Sequence, residues 1–156
     1  NDDRHTIDDI TEEYLNNRLN LNLRHYFFAA KQVKDGMIKN NSGSIINLSS
    51  VSWIRGAAGF VIYAAAKSAI YGLTRSLARE FGKHNIRVNA ISPGSIATER
   101  QLKLWLNPKL KKEILSLQCL KRQLLPNDVA NLALYLASEV SSGCTKQNFI
   151  VDAGLT

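Results

Sequence analysis

The chain of 156 residues is predicted to fold as an α/β domain with a parallel sheet. Two observations carry that prediction. Residues 44–49 contain the apolar run Ile45-Ile46-Asn47-Leu48, whose unbroken character fits a strand covered on both faces, as strands of parallel sheets are. The flanking stretches have helical character, and two further short strands are expected at residues 87–91 and 149–151.

The elements follow in order. Residues 1–10 are polar and acidic and read as a loop. Thr11 is a good N-cap, Glu12 and Glu13 stand where the helix dipole favours acids, and Ile10 with Leu15 suits a hydrophobic staple. Leu15, Leu19, Leu23, Phe27, Ala30, Val33 and Met37 recur at three or four, which predicts one long amphipathic helix to about Gly36. Asn22 lies on or beside that stripe, as a locally bonded polar residue or as a functional one. A turn at 40–43, the strand at 44–49 and a glycine-containing loop at 53–62 come next. A second long helix is expected from about Tyr63 to Lys83, closed by His84 and Asn85 ahead of the strand at 87–91. Residues 93–98 follow as a Pro-Gly turn. The stretch to Leu125 is helical in pattern, and Pro126 and Asp128 open a last helix to about Ser138.

Tyr63 and Lys67 are four apart, so on a helix they share one face, one turn apart. Ser50 stands thirteen residues earlier at a strand end. A free phenol, with a pKa of about 10, is a poor base near neutral pH, and a neighbouring cation brings it toward the useful range. The serine hydroxyl can hold the oxygen that gains or loses the proton. Alone, such a tyrosine–lysine spacing is most often a surface tyrosine beside a solvated lysine.

The surroundings change that weighting. Asn22-Leu23, the run from Gly43 to Ser50, Tyr63-Ala64-Ala65-Ala66-Lys67-Ser68-Ala69, Gly72 to Ala78, Ile86 to Gly94 and Val151-Asp152-Ala153-Gly154 occur in the order found in one family. Over nearly its whole length the chain resembles the C-terminal part of a short-chain dehydrogenase/reductase. The resemblance implies the C-terminal portion of a Rossmann-type doubly wound parallel sheet, three strands with flanking helices. It also implies a single partial dinucleotide-binding and catalytic domain over 1–156, with a substrate lid at about 98–125. It assigns catalysis to Asn22, Ser50, Tyr63 and Lys67, and NAD or NADP contacts to Tyr63, Lys67, Pro93, Gly94, Ile96 and Thr98. The implied reaction is reversible hydride transfer between an alcohol and a carbonyl, with no metal required.

Within that family, the run 98–106, Gln118-Cys119-Leu120 and the N-terminal Asn1-Asp2-Asp3-Arg4-His5 look most like sugar (aldose) 1-dehydrogenases. A sugar would suit Trp53, Arg100 and Gln101 as substrate contacts, the indole offering a face to the ring. The alternatives are a 3-oxoacyl-thioester reductase, or a truncated non-catalytic remnant acting only through its oligomerisation helices. Similar proteins dimerise through the two long helices, so a homo-oligomer is expected. Two positions depart from the family pattern: Lys146 stands where many relatives have glycine, and Ala153 interrupts the commoner Asp-Gly-Gly.

Composition sets the outer bounds. A hydrophobic fraction of 45% is that of a globular protein. No apolar run approaches the roughly 20 residues that span a membrane, and no signal pattern is present, so no membrane partner is expected. Cys119 and Cys144 are too few and too far apart for a disulfide framework or a zinc site, and read as reduced thiols of a cytoplasmic protein. Net charge is +7, and residues 98–125 hold seven Lys and Arg against two Glu. That excess reads as a solvated helical face, with no nucleic acid as partner. The chain begins at Asn1 and its one methionine is Met37, so it is expected to be part of something longer. No strand–Gly-rich turn–helix unit for a dinucleotide pyrophosphate occurs in it, so the 156 residues alone are expected to be inactive.

Overall fold

The structure, a computed structural model, describes residues 4–56 and 58–156. Residues 1–3, part of the N-terminal run likened above to sugar dehydrogenases, lie outside the described residues, as does residue 57.

Helix α1 spans Glu12–Leu19, and Thr11 caps it by accepting the Tyr14 N–H at 3.1 Å. The expected single helix is interrupted: a π turn covers Asn20–Arg24 before α2 resumes over His25–Lys39. Spacings of three and four tolerate one extra residue in a turn, so the interruption leaves no mark on the apolar pattern. Only Ala30 of α2 is buried, while Phe27, Phe28 and Val33 are exposed.

Strand β1 is Gly43–Leu48, β2 is Ile86–Pro93 and β3 is Asn148–Val151. They form one parallel sheet in the order β1-β2-β3, with Ile45 opposite Val88 and Ile91 opposite Phe149. The α/β class and three-stranded parallel sheet are as the sequence predicts. Among the described residues β1 is an edge. β2 is the centre, with Val88, Ala90 and Ile91 fully buried. Ala78 and Phe81 pack on Ile86 and Val88, with Met37, Ile38, Ile45 and Leu77 around them.

Helix α4 runs Val61–Phe81 and continues as a 3-10 turn over Gly82–His84. It begins two residues earlier than the sequence suggests. The expected loop before it also contains a short helix, α3, over Ser52–Arg55, which ends at Gly56 in the left-handed region. The basic stretch divides into α5, Glu99–Leu104, and α6, Pro108–Leu117, capped by Thr98 and Asn107. Lys103, Lys109, Lys111 and Lys112 are all exposed there. Residues 118–125 are not helical, and α7 occupies Pro126–Ala137.

Candidate active site

The site forms where β1 and β2 end, facing the first turns of α4. The Ser49 N–H donates to Ile91 O at 2.7 Å and the Val51 N–H to Pro93 O at 3.1 Å, continuing the ladder beyond β1. Ser50 lies between these two anchors. Its Oγ accepts the Ser52 N–H at 3.2 Å, which leaves its hydroxyl hydrogen available to a ligand oxygen. Ser49 holds the strand end to the helix, its Oγ donating to Lys67 O at 2.7 Å.

Tyr63 and Lys67 lie one turn apart on α4, and the Lys67 ammonium is 5.7 Å from the centroid of the Tyr63 ring. It donates to Leu48 O at 3.0 Å and reaches Tyr26 Oη at 3.5 Å. Tyr26, from α2, donates to the same Leu48 oxygen at 2.8 Å, and its ring centroid is 5.5 Å from the ammonium. The lysine is thus held between two phenols. Burial, and then the nearby Tyr63, push the Tyr26 phenol up from its ordinary value. Tyr26 is therefore the phenol kept neutral. Asn22 is half-buried within the π turn, which packs against α4.

A cavity of about 210 Å³ opens over Ser50 and Tyr63, lined also by Gly94 and Gln101 together with Arg4, Ser52, Phe60, Trp105 and Leu110. Gly94 permits a close approach: a Cβ there would lie 2.7 Å from Asp152 Cβ. Its N–H donates to Val151 O at 2.8 Å, tying the turn after β2 to β3. Ile96 bridges to Leu124, and Thr98 accepts the Gln101 N–H at 3.2 Å as the α5 cap. Pro93, Gly94, Ile96 and Thr98 thus lead from the end of β2 to α5.

The substrate candidates separate. Gln101 lines the cavity; Trp53 and Arg100 are not among its lining residues. The Trp53 indole N–H donates to Ser49 Oγ at 3.1 Å and its ring stacks on Tyr71, 6.3 Å between centroids. Arg100 is exposed, with its guanidinium 5.8 Å from the Trp105 ring centroid. Trp105 supplies the indole in the cavity wall. Sequence reasoning missed Tyr26, Arg4, Phe60 and Trp105 as site residues. Tyr26 carried a usable signal, since it follows Asn22 by four on a helical stretch. The others come together only through tertiary structure.

A sheet of parallel strands with a hydroxyl, a phenol and an ammonium gathered at its carboxyl end is the arrangement of an open α/β ligand-binding domain. The sequence profile described as enoyl-(acyl carrier protein) reductase matches residues 2–156. The chain belongs to the short-chain dehydrogenase/reductase family. It is 45% identical to D-xylose 1-dehydrogenase of Caulobacter vibrioides over 99% of its own length and 62% of that protein. It is 43% identical to the probable galactose dehydrogenase GalD of Rhizobium meliloti, over 99% of this chain and 60% of the relative. The chain therefore spans about 60% of the curated relatives it matches. A 3-oxoacyl-[acyl-carrier protein] reductase from Brucella melitensis superposes with a TM-score of 0.92 at 35% identity, covering 99% of this chain and 57% of that one. A 4-hydroxyisoleucine dehydrogenase complexed with NADH gives 0.92 at 34%, covering 99% and 64%.

Proposed function

We propose that the protein carrying this chain transfers hydride reversibly between NAD or NADP and an alcohol/carbonyl pair, with an aldose as substrate. The observation that supports this best is the placement of Ser50 and Tyr63 on one cavity wall, with the Lys67 ammonium 5.7 Å from the phenol ring. The family, the likeness to two sugar dehydrogenases and the NADH complex of a relative agree with it. Tyr63 and Gly94 line one cavity, and Pro93, Gly94, Ile96 and Thr98 follow the carboxyl end of β2, where dinucleotides bind in such sheets; with Lys67 these residues fit the nicotinamide end of such a cofactor. When bound, the nicotinamide supplies or accepts the hydride.

The chain's own groups handle the proton and the geometry. In oxidation Tyr63 Oη takes the substrate hydroxyl proton. Lys67 stabilises the phenolate that does so, and its carbonyl anchor at Leu48 fixes where the cation sits. Ser50 donates to the reacting oxygen with the hydrogen that Ser52 leaves free. Asn22 supports proton relay behind Lys67. The exposed Phe27, Phe28 and Val33 of α2 support homo-oligomerisation. Among the described residues no helix is long and apolar enough to cross a membrane, and the protein is proposed to work in the cytoplasm.

A second substrate class has support in the same wall. Phe60 and Leu110 offer apolar surface to an acyl chain, as a 3-oxoacyl-thioester reductase would need. The test of the chemistry is Tyr63→Phe in the natural-length protein. It should cut turnover about 10²–10⁴-fold while the fold and cofactor binding persist. Retention of more than about a tenth of the rate would reject Tyr63 as the proton carrier.

A further inference from the structure

Among the described residues Arg4 is the one cation that lines the cavity, and it belongs to the N-terminal run likened above to sugar dehydrogenases. Arg4 reaches the wall from the N-terminal segment, its guanidinium 4.8 Å from the Phe60 ring centroid. Its position is built from the next residue. The His5 N–H donates to Gly59 O at 3.3 Å, and the His5 side chain is buried at 7% exposure. His5 Nε2 accepts the Ile62 N–H at 3.5 Å, one residue ahead of Tyr63. That role places the ring proton on Nδ1, which lies 3.3 Å from Tyr14 Oη. Arg4 is therefore fastened to the first turn of the helix that carries the phenol and the ammonium.

We propose that Arg4 is a specificity-determining residue. Its guanidinium grips adjacent hydroxyls of a polyhydroxylated substrate whose reacting carbon lies at Ser50 and Tyr63, with Gln101 and Trp105 of the lid closing on the far side. The inference rests on the aldose substrate proposed above and names what selects it. Among the described residues, no carboxylate lines this cavity. In the adjoining groove behind Arg4 and Trp105, Glu113 is accompanied by Lys109. The guanidinium lies against the apolar Phe60 ring, and its planar set of N–H donors can serve ligand oxygens in the cavity that Arg4 lines. Neighbouring hydroxyls present two acceptors at a spacing the fork can meet, while the C–H face of the ring lies on Trp105. An acyl chain in the same place would strip water from the guanidinium and return no hydrogen bond.

The test uses the natural-length protein with D-xylose, D-galactose, a deoxy analogue of the better of the two sugars, and a 3-oxoacyl thioester. Arg4→Met keeps the aliphatic stem against Phe60 and removes the fork; Arg4→Lys keeps the charge alone. Arg4→Met should lower kcat/KM for the aldose about 10–100-fold, mainly through KM, with the NADH dissociation constant unchanged. Removing the gripped hydroxyl from the sugar should then cost the variant much less than it costs the wild type, a coupling that a merely structural residue would not show. Arg4→Lys should fall between, and serves as the deciding variant where thermal melting shows Arg4→Met to be unfolded. Wild-type turnover of aldoses with either folded variant unchanged would overturn the grip alone. Wild-type turnover of the thioester and of no aldose would overturn the substrate proposal and the grip with it.

Discussion

Lys67 faces two phenols, and their difference is the first thing to test at the residue scale. Tyr26 is held up by burial, then by the nearby Tyr63, so it keeps its proton across ordinary assay conditions. Tyr26→Phe should therefore slow the reaction while leaving the alkaline limb of the pH–rate profile where it was. Lys67→Met should slow it and move that limb upward, since the cation beside Tyr63, the proposed base, is gone. A limb that moves with Tyr26→Phe and not with Lys67→Met would assign the titration to the wrong ring. Some residue-scale facts were legible in the sequence without their meaning. Lys146 and Ala153, noted as departures from glycine, adopt φ of 66° and 59°. The left-handed region costs a non-glycine residue roughly 1–2 kcal/mol, which is a physical reason for the glycine expected at both positions. Ala153 nonetheless lies beside the Asp152 carboxylate, which accepts from Gly154 N–H and from both Thr156 N–H and Oγ1, and these bonds hold the turn in place.

Helices and strands were legible where their cause is local, and illegible where it is not. The strands and α7 announce themselves through apolar runs and the Pro126 start. The start of α4 does not. Leading N–H groups of a helix need partners, and the Ile62 N–H finds His5, 57 residues away in sequence. No local pattern carries that. α3 arises because Ser50 Oγ accepts the Ser52 N–H and the Arg55 N–H closes on Val51 O. α7 supplies a pH test. Asp128 accepts the Leu125 N–H at 2.8 Å, and both its oxygens bond Arg122, at 2.9 and 2.7 Å. The Arg122 bonds chiefly, with the Leu125 N–H, lower its pKa from 3.8 to about 2. A carboxylate depressed on folding adds stability above its unfolded pKa and loses it as pH falls through the folded one. Asp128→Asn should therefore melt below wild type at pH 7, and the gap should close between about pH 4 and pH 2. A gap of equal size at pH 7 and pH 2 would show that the charge contributes nothing to the cap.

At the scale of the whole molecule, the residues proposed for catalysis stand apart from any pyrophosphate cradle. Among the described residues, no Gly-rich turn joins a strand to a helix at the sheet's carboxyl end. Holding the reactants together is worth about 7–11 kcal/mol of a barrier. The 156 residues by themselves should thus show no dehydrogenase activity toward sugars or oxoacyl thioesters, and no tight NAD or NADP binding by calorimetric titration. A micromolar dissociation constant would mean a cofactor site of another kind. The open side of β1 compounds this: an unpaired strand edge recruits other chains, so the isolated segment should run as oligomers or aggregates in size-exclusion chromatography.

The π turn at Asn20–Arg24 has a bearing on how this region changes length. It uses more residues per turn than the α-helix on either side, so it is the helix's record of one residue too many. Removing one residue of the five would let the stretch relax to uninterrupted α-helix with α1 and α2 keeping nearly their present phase, since four residues at about 100° each sweep roughly the angle that five sweep in the wider turn. Thr11, Tyr14 and the contact with His5 would stay in phase with Tyr26 and Lys67, whereas a regular α-helix that kept all five residues would turn them away by about 100°. Loss of the exposed Leu21 or Arg24 is therefore the change of length this helix absorbs most readily, whereas a residue gained or lost elsewhere in α1 or α2 shifts the phase of everything on one side of it.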